Sequence, residues 1–439
     1  MTFSKPSQAL IDKTTGLLQS GMNARAFGEY GAPEALGDAR WTDELILSTW
    51  YMAETGKLPE GLNYKTGKSD GGFDRLDFSY LPESEWLEHS EALDTTLDLN
   101  RRGDAKRRIS IDIPWYGGGM SYGSVSLNVM MSRARAYTKW NSYMSTGEGG
   151  YPIELMECKE NVITQVATGY FGVEEETIQA APIIEFKYAQ GAKPGLGGHL
   201  LAAKAGEEVA KLRGSVPFVS LFSPFPFHST YSVEDHSKHL DWIETINPTA
   251  LLAVKVSTPH DVDMVAIGSY YAGAHIIHLD GSYGGTGAAP EIAKKNIAMP
   301  IELAIPKVHK FLEKEGVRDR VTLIASGGVR TTDDIAKAIA LGADGCVLGT
   351  TDLVGLGCTR CSNCEGGPSG RGCPWGLTTT DVELQEWVQP DWAVQRLDNL
   401  YSAMQYRLRD ILRQLGLSSV TELRGRTDLL RYIGKEEAE

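Results

Sequence analysis

Short apolar runs rich in β-branched residues recur through the middle of the chain and alternate with stretches of helical periodicity. The runs are Ile109–Pro114, Pro182–Tyr188, Phe218–Phe222, Leu251–Val256, His275–Leu279, Val321–Ala325 and Gly345–Leu348. This repetition of strand, loop and helix between about Arg107 and Asp381 predicts parallel βα units. The length suits an α/β fold of the (β/α)8 TIM barrel type, with its active site at the carboxyl ends of the strands. An open, doubly wound sheet is the alternative that the pattern leaves open.

Regions of different texture flank the predicted barrel. Residues 1–105 carry scattered tryptophans, charges and glycine-rich turns without a recognisable motif, and we interpret them as an N-terminal accessory segment. The barrel is assigned to residues 106–385, including a cysteine-rich loop at 357–376, and residues 386–439 are assigned to a C-terminal helical tail. Within the tail, apolar periodicity predicts an amphipathic helix from Trp392 to Leu415 that ends at Gly416.

Composition and charge narrow the class of protein. The 439 residues include 43 Lys and Arg against 57 Asp and Glu, a formal net charge of −14, and 42% of them are apolar. These values are typical of a folded protein, and the acidic balance argues against a nucleic-acid partner because no basic excess is available to neutralise phosphates. No apolar run approaches the roughly 18 residues of a spanning helix, and the N-terminus lacks a signal pattern. We therefore expect a cytoplasmic protein without a membrane partner.

Four of the six cysteines fall close together, which indicates a metal site in a reducing compartment rather than a disulfide framework. They are Cys358, Cys361, Cys364 and Cys373. A C-x2-C-x2-C run with a distant fourth cysteine before proline is typical of iron–sulfur ligation. Zinc is the competing metal, although structural zinc usually takes paired C-x2-C knuckles, and structural coincidence is the third interpretation. Four thiolates permit a 4Fe–4S cluster, whereas a 3Fe–4S cluster would leave one unused.

Two loops carry signals of phosphate binding. The segment Ser326–Asp334 follows a predicted strand and opens a helix, and the next predicted strand ends at Gly349 and Thr350. In a barrel these would be the seventh and eighth βα turns, whose backbone amides commonly bind a phosphate. Arg330 would be placed to pair with it. A turn with a helix cap, and a solvated arginine, are the simpler interpretations.

Other candidate residues follow the predicted strands. Lys187 and Lys255 lie at or near strand ends, where a lysine would stabilise the negative charge of a reduced flavin; extension of either side chain to the barrel rim is the alternative. The loops Ser145–Gly150 and Ala189–His199 combine glycines with polar groups, which allows close approach of a ligand. A mobile surface loop is the simpler interpretation of each.

Together, these segments resemble the flavin-binding barrel of glutamate synthase from about Ile113 to Gln385. The segments that carry the resemblance, in chain order, are Gly119–Ser124, Thr146–Gly150, Gln165–Gly169, Phe171–Val173, Lys187–Gly195, Gly284–Ala288 and Cys373 with Pro374 and Gly376. The resemblance implies FMN in the barrel beside an iron–sulfur cluster. In the family, 2-iminoglutarate formed from 2-oxoglutarate and ammonia is reduced by FMN to glutamate, with electrons arriving through the cluster.

The residues expected to form the site fall into three groups. Those expected to hold the flavin are Met120, Ser121, Tyr122, Gly123, Thr146, Gln165, Lys187, Lys255, Gly285, Thr286, Gly327, Gly328, Arg330, Gly349 and Thr350. Those assigned to catalysis are Glu148 and Lys193. Those assigned to substrate binding are Gln190, His199, Arg213 and Ser232. Arg213 and Lys193 are the cations expected for the two carboxylates of the keto acid.

Departures from the family pattern concern the substrate and the partners. His199 stands where the family has glutamine, and Ser282 with Tyr283 stands where it has His-Asp. The first cysteine is Cys158, so the chain alone is not expected to release ammonia from glutamine through an N-terminal cysteine. We therefore expect a hetero-oligomer with an electron donor and with glutaminase-like and glycine-rich β-helical subunits, or direct use of ammonia or an amine.

Two further hypotheses accompany the glutamate synthase interpretation. The chain is also similar to the flavoprotein subunit of N-methylglutamate synthase, a related split enzyme that uses methylamine. A non-catalytic electron-transfer or scaffold subunit is the alternative of a different class; it predicts bound cofactors without keto-acid binding.

Overall fold

Eight parallel strands close into a barrel in a computed structural model that describes residues 37–60, 71–88, 92–286, 292–294, 296–366 and 370–433. The strands are β1 (Trp115–Gly117), β2 (Met144–Ser145), β3 (Val162–Ala167), β4 (Ile183–Lys187), β5 (Leu251–Ser257), β6 (Ile276–Asp280), β7 (Thr322–Ser326) and β8 (Gly345–Leu348). The barrel closes where Cys346 of β8 lies beside Trp115 of β1 in parallel register. This closure confirms the predicted (β/α)8 barrel and excludes the open sheet.

Helices surround the strands. They are α1 (Asp43–Thr55), α2 (Leu127–Lys139), α3 (Glu175–Ala180), α4 (Glu207–Leu212), α5 (Val233–Ile246), α6 (Val262–Ala272), α7 (Ile301–Lys314), α8 (Thr332–Leu341), α9 (Thr350–Gly355), α10 (Val382–Gln385), α11 (Pro390–Leu415) and α12 (Val420–Leu423). Side-chain caps define several starts: the Ser126 hydroxyl accepts the Val129 N–H before α2, and Thr331 accepts the Asp334 N–H before α8. None of the helices in the described ranges is long and apolar enough to cross a bilayer.

Inward-facing apolar side chains fill the lower barrel. They are Tyr116, Ile163, Ile183, Leu251, Ala253, Ile276, Ile324 and Val347. An antiparallel pair of short strands, Leu97–Asp98 and Ser110–Ile111, packs against them and accepts hydrogen bonds from Thr322 at the start of β7 through the carbonyls of Asp98 and Leu99. The pair therefore covers the amino end of the barrel, and it spans residue 105, where we had placed the end of the accessory segment.

The predicted C-terminal helix spans Pro390–Leu415 and ends at Gly416 in the left-handed conformation. It packs between α2 and α8, with the ring of Tyr401 centred 4.9 Å from that of Tyr137 and Arg407 paired with Asp333 at 2.9 Å. This helix occupies the eighth position of the helical layer. The helix of the segment assigned to the C-terminal tail thus packs directly against the barrel helices.

The N-terminal region is attached to the same helix. The side-chain amide of Asn399 in α11 donates hydrogen bonds to the carbonyls of Ala53 and Glu54 at the end of α1, at 3.1 and 3.0 Å. Residues 1–36 and most of the loop that we predicted at 63–73 lie outside the described residues.

The apolar pattern misplaced two strands. In the predicted run Ile109–Pro114, Ser110–Ile111 belongs to the covering pair, and β1 begins only at Trp115. In the run Phe218–Phe222, only Leu221–Phe222 is extended, and it pairs antiparallel with His199–Leu200 outside the barrel. Strand β3 was not predicted, because Thr164 and Gln165 interrupt its apolar character.

Candidate active site

The loops that follow the strands enclose a pocket at the carboxyl end of the barrel, with about 280 Å³ of space, part of it open to solvent. Its lining residues are Glu148, Ala167, Thr168, Lys187, Tyr188, Ala189, Gln190, Lys193, Gly195, Gly197, Gly198 and Phe225. Four side chains singled out in the sequence, Glu148, Lys187, Gln190 and Lys193, are therefore brought together here. They come from the loop after β2, from the last residue of β4 and from the loop after β4.

Glu148 is the buried carboxylate of this pocket. Its Oε2 accepts a hydrogen bond from the Lys187 ammonium at 3.1 Å, and a Cβ at Gly198 would lie only 2.0 Å from that oxygen, so only glycine fits there. Its Oε1 is buried without a hydrogen-bond partner among the described residues. Burial opposes ionisation, but the charge of Lys187, the nearby Ser223 hydroxyl and the charge of Arg213 hold the pKa of Glu148 below its ordinary value. An ionised acceptor is therefore available to a ligand.

Arg213 provides a buried cation beside Glu148. Its Nη2 donates to the Ser121 hydroxyl at 3.1 Å and to the Tyr122 carbonyl at 3.0 Å, whereas its buried Nε has no partner in the described part of the chain. Gly149 adopts φ +124°, and a Cβ there would lie 2.5 Å from the guanidinium carbon. The glycine-rich loop after β2 thus makes room for this arginine.

Lys193 and His199 belong to the loop after β4. Burial, together with the neighbouring charge of Lys187, lowers the pKa of Lys193 to about 8, although Glu148 and Glu365 act in the opposite direction. The pKa of His199 is lowered by burial and by Lys193. Lys187, Lys193 and Arg213 therefore lie around the carboxylates of Glu148 and Glu365, and this positive excess suits an anionic ligand.

A chain of buried hydrogen bonds crosses the barrel interior one layer above the apolar filling. The Gln165 amide donates to Glu185 at 2.6 Å, the other Glu185 oxygen contacts His278 Nδ1 at 2.8 Å, and His278 Nε2 contacts the Ser326 hydroxyl at 2.7 Å. Ser326 in turn donates to Asp280 at 2.6 Å. We call these five residues and Lys255 the core network.

The core network is tied to the pocket through Asp280. Its Oδ2 accepts the backbone N–H of Gly191, in the loop after β4, at 2.9 Å, and it lies 3.4 Å from the Lys255 ammonium. Burial opposes ionisation of Asp280 and Glu185, yet the neighbouring cations and hydrogen bonds keep the pKa of each below its ordinary value. Lys255, expected to lie near a flavin, is thus paired within the network.

The loops after β1 and β2 pass close to each other over Gln165. A Cβ at Gly119 would lie 2.9 Å from the Gln165 amide nitrogen, and one at Gly147 would lie 2.7 Å from the backbone nitrogen of Ser121. The Thr146 hydroxyl accepts the Gln165 N–H at 3.1 Å. Residues predicted to contact one face of a flavin, including the backbone of Met120–Gly123, are therefore neighbours.

The glycines expected at a phosphate also meet. Gly327 and Gly328 follow β7 with φ of +91° and +110°, values that favour glycine. A Cβ at Gly285 would lie 2.9 Å from the Thr350 hydroxyl, next to Gly349, so the loops after β6 and β8 are adjacent. Thr286 follows directly, while Gly287 and Ala288 lie outside the described residues.

Two predicted residues have other partners. The Arg330 guanidinium is buried against the carboxylates of Asp74 and Asp334, which take up its donors together with one backbone carbonyl. The Ser232 hydroxyl accepts a backbone N–H at 3.3 Å and caps α5 at the surface. The structure does not bring Ser232 into the pocket, and the burial of Arg330 is accounted for by its ion pairs.

The four clustered cysteines lie on the loop between α9 and α10, where Arg360 and Ser362 adopt φ of +61° and +62°. No group of three or more His, Cys, Asp or Glu side chains within the described ranges could hold a metal ion. Cys358, Cys364 and Cys373 nevertheless lie within electrostatic range of each other. A single zinc ion needs its donors around one point, whereas each iron of a cluster takes its own thiolate. Four thiolates on one loop are a donor set that can hold an iron–sulfur cluster.

The cysteine loop lies beside the pocket. The Lys204 ammonium donates to the Cys364 carbonyl at 2.7 Å and lies 3.7 Å from Glu365, whose charge also acts on Lys193. A redox group on this loop would therefore be close to whatever binds between the loops after β1–β4.

Sequence reasoning missed most of the core network and one arginine near the phosphate loops. A charged residue inside a buried strand was the available signal for Glu185, within an otherwise apolar run, and for His278 with Asp280. No comparable signal existed for Arg40, which lies in a region without motifs and contacts Gly328, 288 positions away.

The family model and the relatives that match this chain carry the name glutamate synthase. A family model described as the conserved region in glutamate synthase matches residues 83–418. The chain is 37% identical over 414 residues to the archaeal-type glutamate synthase (NADPH) of Dehalococcoides mccartyi, covering 90% of this chain and 82% of that protein. It is 38% identical over 431 residues to the protein of the same name from Thermotoga maritima, with 91% and 82% covered. The glutamate synthase (NADPH) large chain of Azospirillum brasilense is 36% identical over 330 residues, which are 72% of this chain and 21% of that one.

Solved structures share the fold at low identity. A flavocytochrome b2 mutant with pyruvate bound matches with a TM-score of 0.51 and 14% identity, covering 98% of this chain and 92% of that one. A lactate oxidase from Pediococcus acidilactici matches with a TM-score of 0.51 and 12% identity, covering 96% and 94%. These likenesses support the barrel fold alone.

Proposed function

Since the chain belongs to the glutamate synthase family and is an oxidoreductase, we propose that it is the flavin-dependent subunit that reduces 2-iminoglutarate, formed from 2-oxoglutarate and ammonia, to glutamate. The observation that carries this proposal is the pocket lined by Glu148 and Lys193, with Arg213 buried beside Glu148 and bonded to the loop after β1 that is expected to hold FMN. We expect the reaction to take place in the cytoplasm.

The pocket residues have separate roles toward the substrate. Lys193 and Arg213 bind the two carboxylates of the keto acid, because charge-assisted hydrogen bonds from buried cations are strong. Ionised Glu148, with its unpaired Oε1, accepts a hydrogen bond from the nitrogen of the ammonia or imine. Gln190 and His199 complete the side of the pocket formed by the loop after β4.

The loops after β1 and β2, which pass close to each other over Gln165, are the proposed place of the flavin ring. Gly119 and Gly147 leave no space for a side chain where the loops cross, which suits backbone contact with a flat ring. We propose that the ring is held by the backbone of Met120–Gly123 with Thr146, Gln165 and Lys187, and its phosphate by the predicted glycine loops. When bound, FMN would supply the hydride, and Lys255 would be held by the core network through its contact with Asp280 at 3.4 Å.

We further propose that electrons reach the flavin through an iron–sulfur cluster on the four cysteines. The support is the thiolate donor set and the contact of its loop with the pocket through Lys204 and Glu365. The relatives' names specify NADPH, so a reductant of that kind, delivered by another subunit, is the proposed electron source. Glutaminase-like and glycine-rich β-helical subunits are the proposed partners.

Anaerobic purification, alone and with partner proteins, followed by flavin, iron and acid-labile sulfide analysis tests the cofactors. We expect FMN with iron and sulfide, and a change in the flavin spectrum on adding 2-oxoglutarate. Cys373→Ser is expected to abolish or convert the cluster, with Cys158→Ser as the control. A folded protein that binds no flavin would contradict the proposal. Bound cofactors without any response to keto acid would instead favour the electron-transfer subunit.

N-methylglutamate synthesis is the second candidate for the same site. The observation in its favour is that one departure from the family lies beside a pocket cation, since Lys193 lowers the pKa of His199. The hydroxyl of Ser282, another departure, is buried without a partner among the described residues. Parallel assays with ammonia and methylamine at equal concentration decide between the two. Higher kcat/KM for methylamine would assign the amine substrate.

A further inference from the structure

Arg40 lies against the phosphate loops although it precedes the barrel by some 75 residues of chain. Its Nη2 donates to the Gly328 carbonyl at 3.3 Å, and its guanidinium stacks over the ring of Tyr283 at 3.7 Å. A Cβ at Gly328 would lie 3.0 Å from both Nη2 and the Tyr283 Cβ. The arginine therefore lies where the loops after β6 and β7 face each other.

The hydrogen bonding of this side chain is incomplete. Arg40 is 8% exposed, and among the described residues its guanidinium makes only the one hydrogen bond to Gly328. An arginine carries five N–H donors, so most donors of Arg40 are left for an acceptor from outside the protein. An anionic ligand at this place would supply such acceptors.

The nearby Arg330 differs from Arg40 in the partners of its guanidinium group, which are provided by the protein itself. Its guanidinium contacts both Asp74 and Asp334, and a further N–H donates to the Arg40 carbonyl at 2.9 Å. Arg330 thereby occupies the two aspartates and fixes the backbone of Arg40. The two arginines are neighbours, but only Arg330 has carboxylates in direct contact.

The position of Arg40 is also fixed from the other side. Asp38 pairs with Arg360 of the cysteine loop at 2.7 Å, and the Gly37 N–H donates to the Thr359 carbonyl at 3.2 Å. Asp38 additionally accepts the backbone N–H of Arg40 at 2.9 Å. Residues 37–41 thus connect the cysteine loop to the phosphate loops, and Arg40 is held in place without a ligand.

We propose that Arg40 binds the phosphate of the flavin, opposite the backbone amides of the loops after β7 and β8. This inference rests on the proposed flavin site and adds to it a residue from outside the region 83–418 that the family model matches. The guanidinium offers fork geometry suited to phosphate oxygens, and its stacking on Tyr283 presents that fork at a defined angle.

Binding of FMN compared with riboflavin, which lacks the phosphate, tests the proposal. Arg40→Gln is expected to weaken FMN binding by roughly 10- to 100-fold while riboflavin affinity changes less than about twofold, because only the phosphate contact is lost. Arg40→Lys keeps the charge without the fork and is expected to lose less. Flavin fluorescence titration of protein stripped of its flavin measures both affinities.

Arg102→Gln is the matched control. Arg102 also stacks on a tyrosine, Tyr270, at 4.4 Å and donates to backbone carbonyls, but it lies at the amino end of the barrel. The ratio of FMN affinity to riboflavin affinity in Arg102→Gln should equal the ratio in the unaltered protein. Release of FMN on dilution of the protein as purified gives the same comparison without removing the flavin.

Equal weakening of FMN and riboflavin by Arg40→Gln would overturn the inference and assign Arg40 to loop structure. An unchanged FMN affinity would overturn it as well. Failure of the unaltered protein to bind either flavin would refute the proposed function itself, so the two failures are distinguishable.

Discussion

The core network and the pocket are two groups of buried polar residues that differ in completeness. In the network, Glu185 and Asp280 each have both carboxylate oxygens engaged. In the pocket, Glu148 and Arg213 each keep a buried atom without a partner in the described part of the chain. The two groups are joined where Gly191, in the loop after β4, donates its backbone N–H to Asp280.

This difference distinguishes the polar residues that stabilise the fold from those that bind a ligand. A buried polar atom without a partner costs about 1–3 kcal/mol, so proteins retain such atoms mainly where something else binds them. The network is complete as it stands, and we assign it the support of the loops above it. The pocket is complete only with a ligand, and its charges are therefore assigned to the substrate.

The largest expected effect is on stability. Glu185→Ala removes the carboxylate shared by Gln165 and His278 and should lower the free energy of unfolding by about 3–5 kcal/mol. Glu148→Ala removes a carboxylate that is nearly as buried but should cost less than about 2 kcal/mol, because it also removes an unpaired oxygen. Urea unfolding measures both. Equal losses would contradict the distinction between network and pocket.

The second effect concerns affinity. Lys193→Ala should weaken binding of 2-oxoglutarate by roughly 10- to 100-fold through loss of one charge-assisted contact, with flavin content and unfolding unchanged. Lys238→Ala, which removes an exposed lysine paired only with Asp235 in α5, is the control. Unchanged keto-acid affinity with flavin bound would show that Lys193 does not contact the substrate.

The pH dependence of kcat/KM also tests whether Lys193 binds the keto acid. The pKa of Lys193 is lowered to about 8, so the lysine is cationic below that pH and loses its proton above it. We expect kcat/KM for the keto acid to fall about tenfold between pH 7 and 9. Lys193→Arg keeps its charge and should remove this fall. A profile identical in the two proteins would exclude Lys193 as the titrating group.

The smallest effect tests how the two regions are joined. Asp280→Asn retains an acceptor for the Gly191 N–H but loses the charge opposite Lys255. We expect a rise in the KM for keto acid of roughly two- to fivefold, equivalent to about 1 kcal/mol or less, with little change in kcat. A fall in kcat without a change in KM would place Asp280 nearer the chemistry than the loop.

The amino-acid pattern predicted more of the secondary structure of the barrel than of the candidate site. Strands β4 to β8 and helix α11 could be found because each has a clear period and clear ends. Strand β3 could not, because Gln165 and Thr164 are polar yet buried, and their partners lie on other strands. The predicted strand around Phe218 failed for the opposite reason, since the exposed side chains of Phe218 and Phe222 resemble a buried run along the chain.

Within the site, the sequence could not distinguish Lys187 from Lys255, because their partners are distant in the chain. Both end apolar strands and look equivalent along the chain. The structure pairs Lys187 with Glu148 at the pocket and Lys255 with Asp280 in the network. Likewise, Arg330 follows a glycine turn that suggests phosphate, but its ion pairs with Asp74 and Asp334 were invisible without the fold.

The sequence by itself determined the barrel class, the order of the glycine-rich loops, the cysteine cluster and the family. These properties depend on local periodicity and on motifs that are contiguous in the chain. Only the tertiary structure decided which charges are paired and which are not, that α11 is the eighth barrel helix, and that Arg40 reaches Gly328. The reason is physical: the cost of burying a charge depends on partners brought together by folding. Such partners can be far apart in the chain, as Arg40 and Gly328 are at 288 positions and Asp38 and Arg360 at 322.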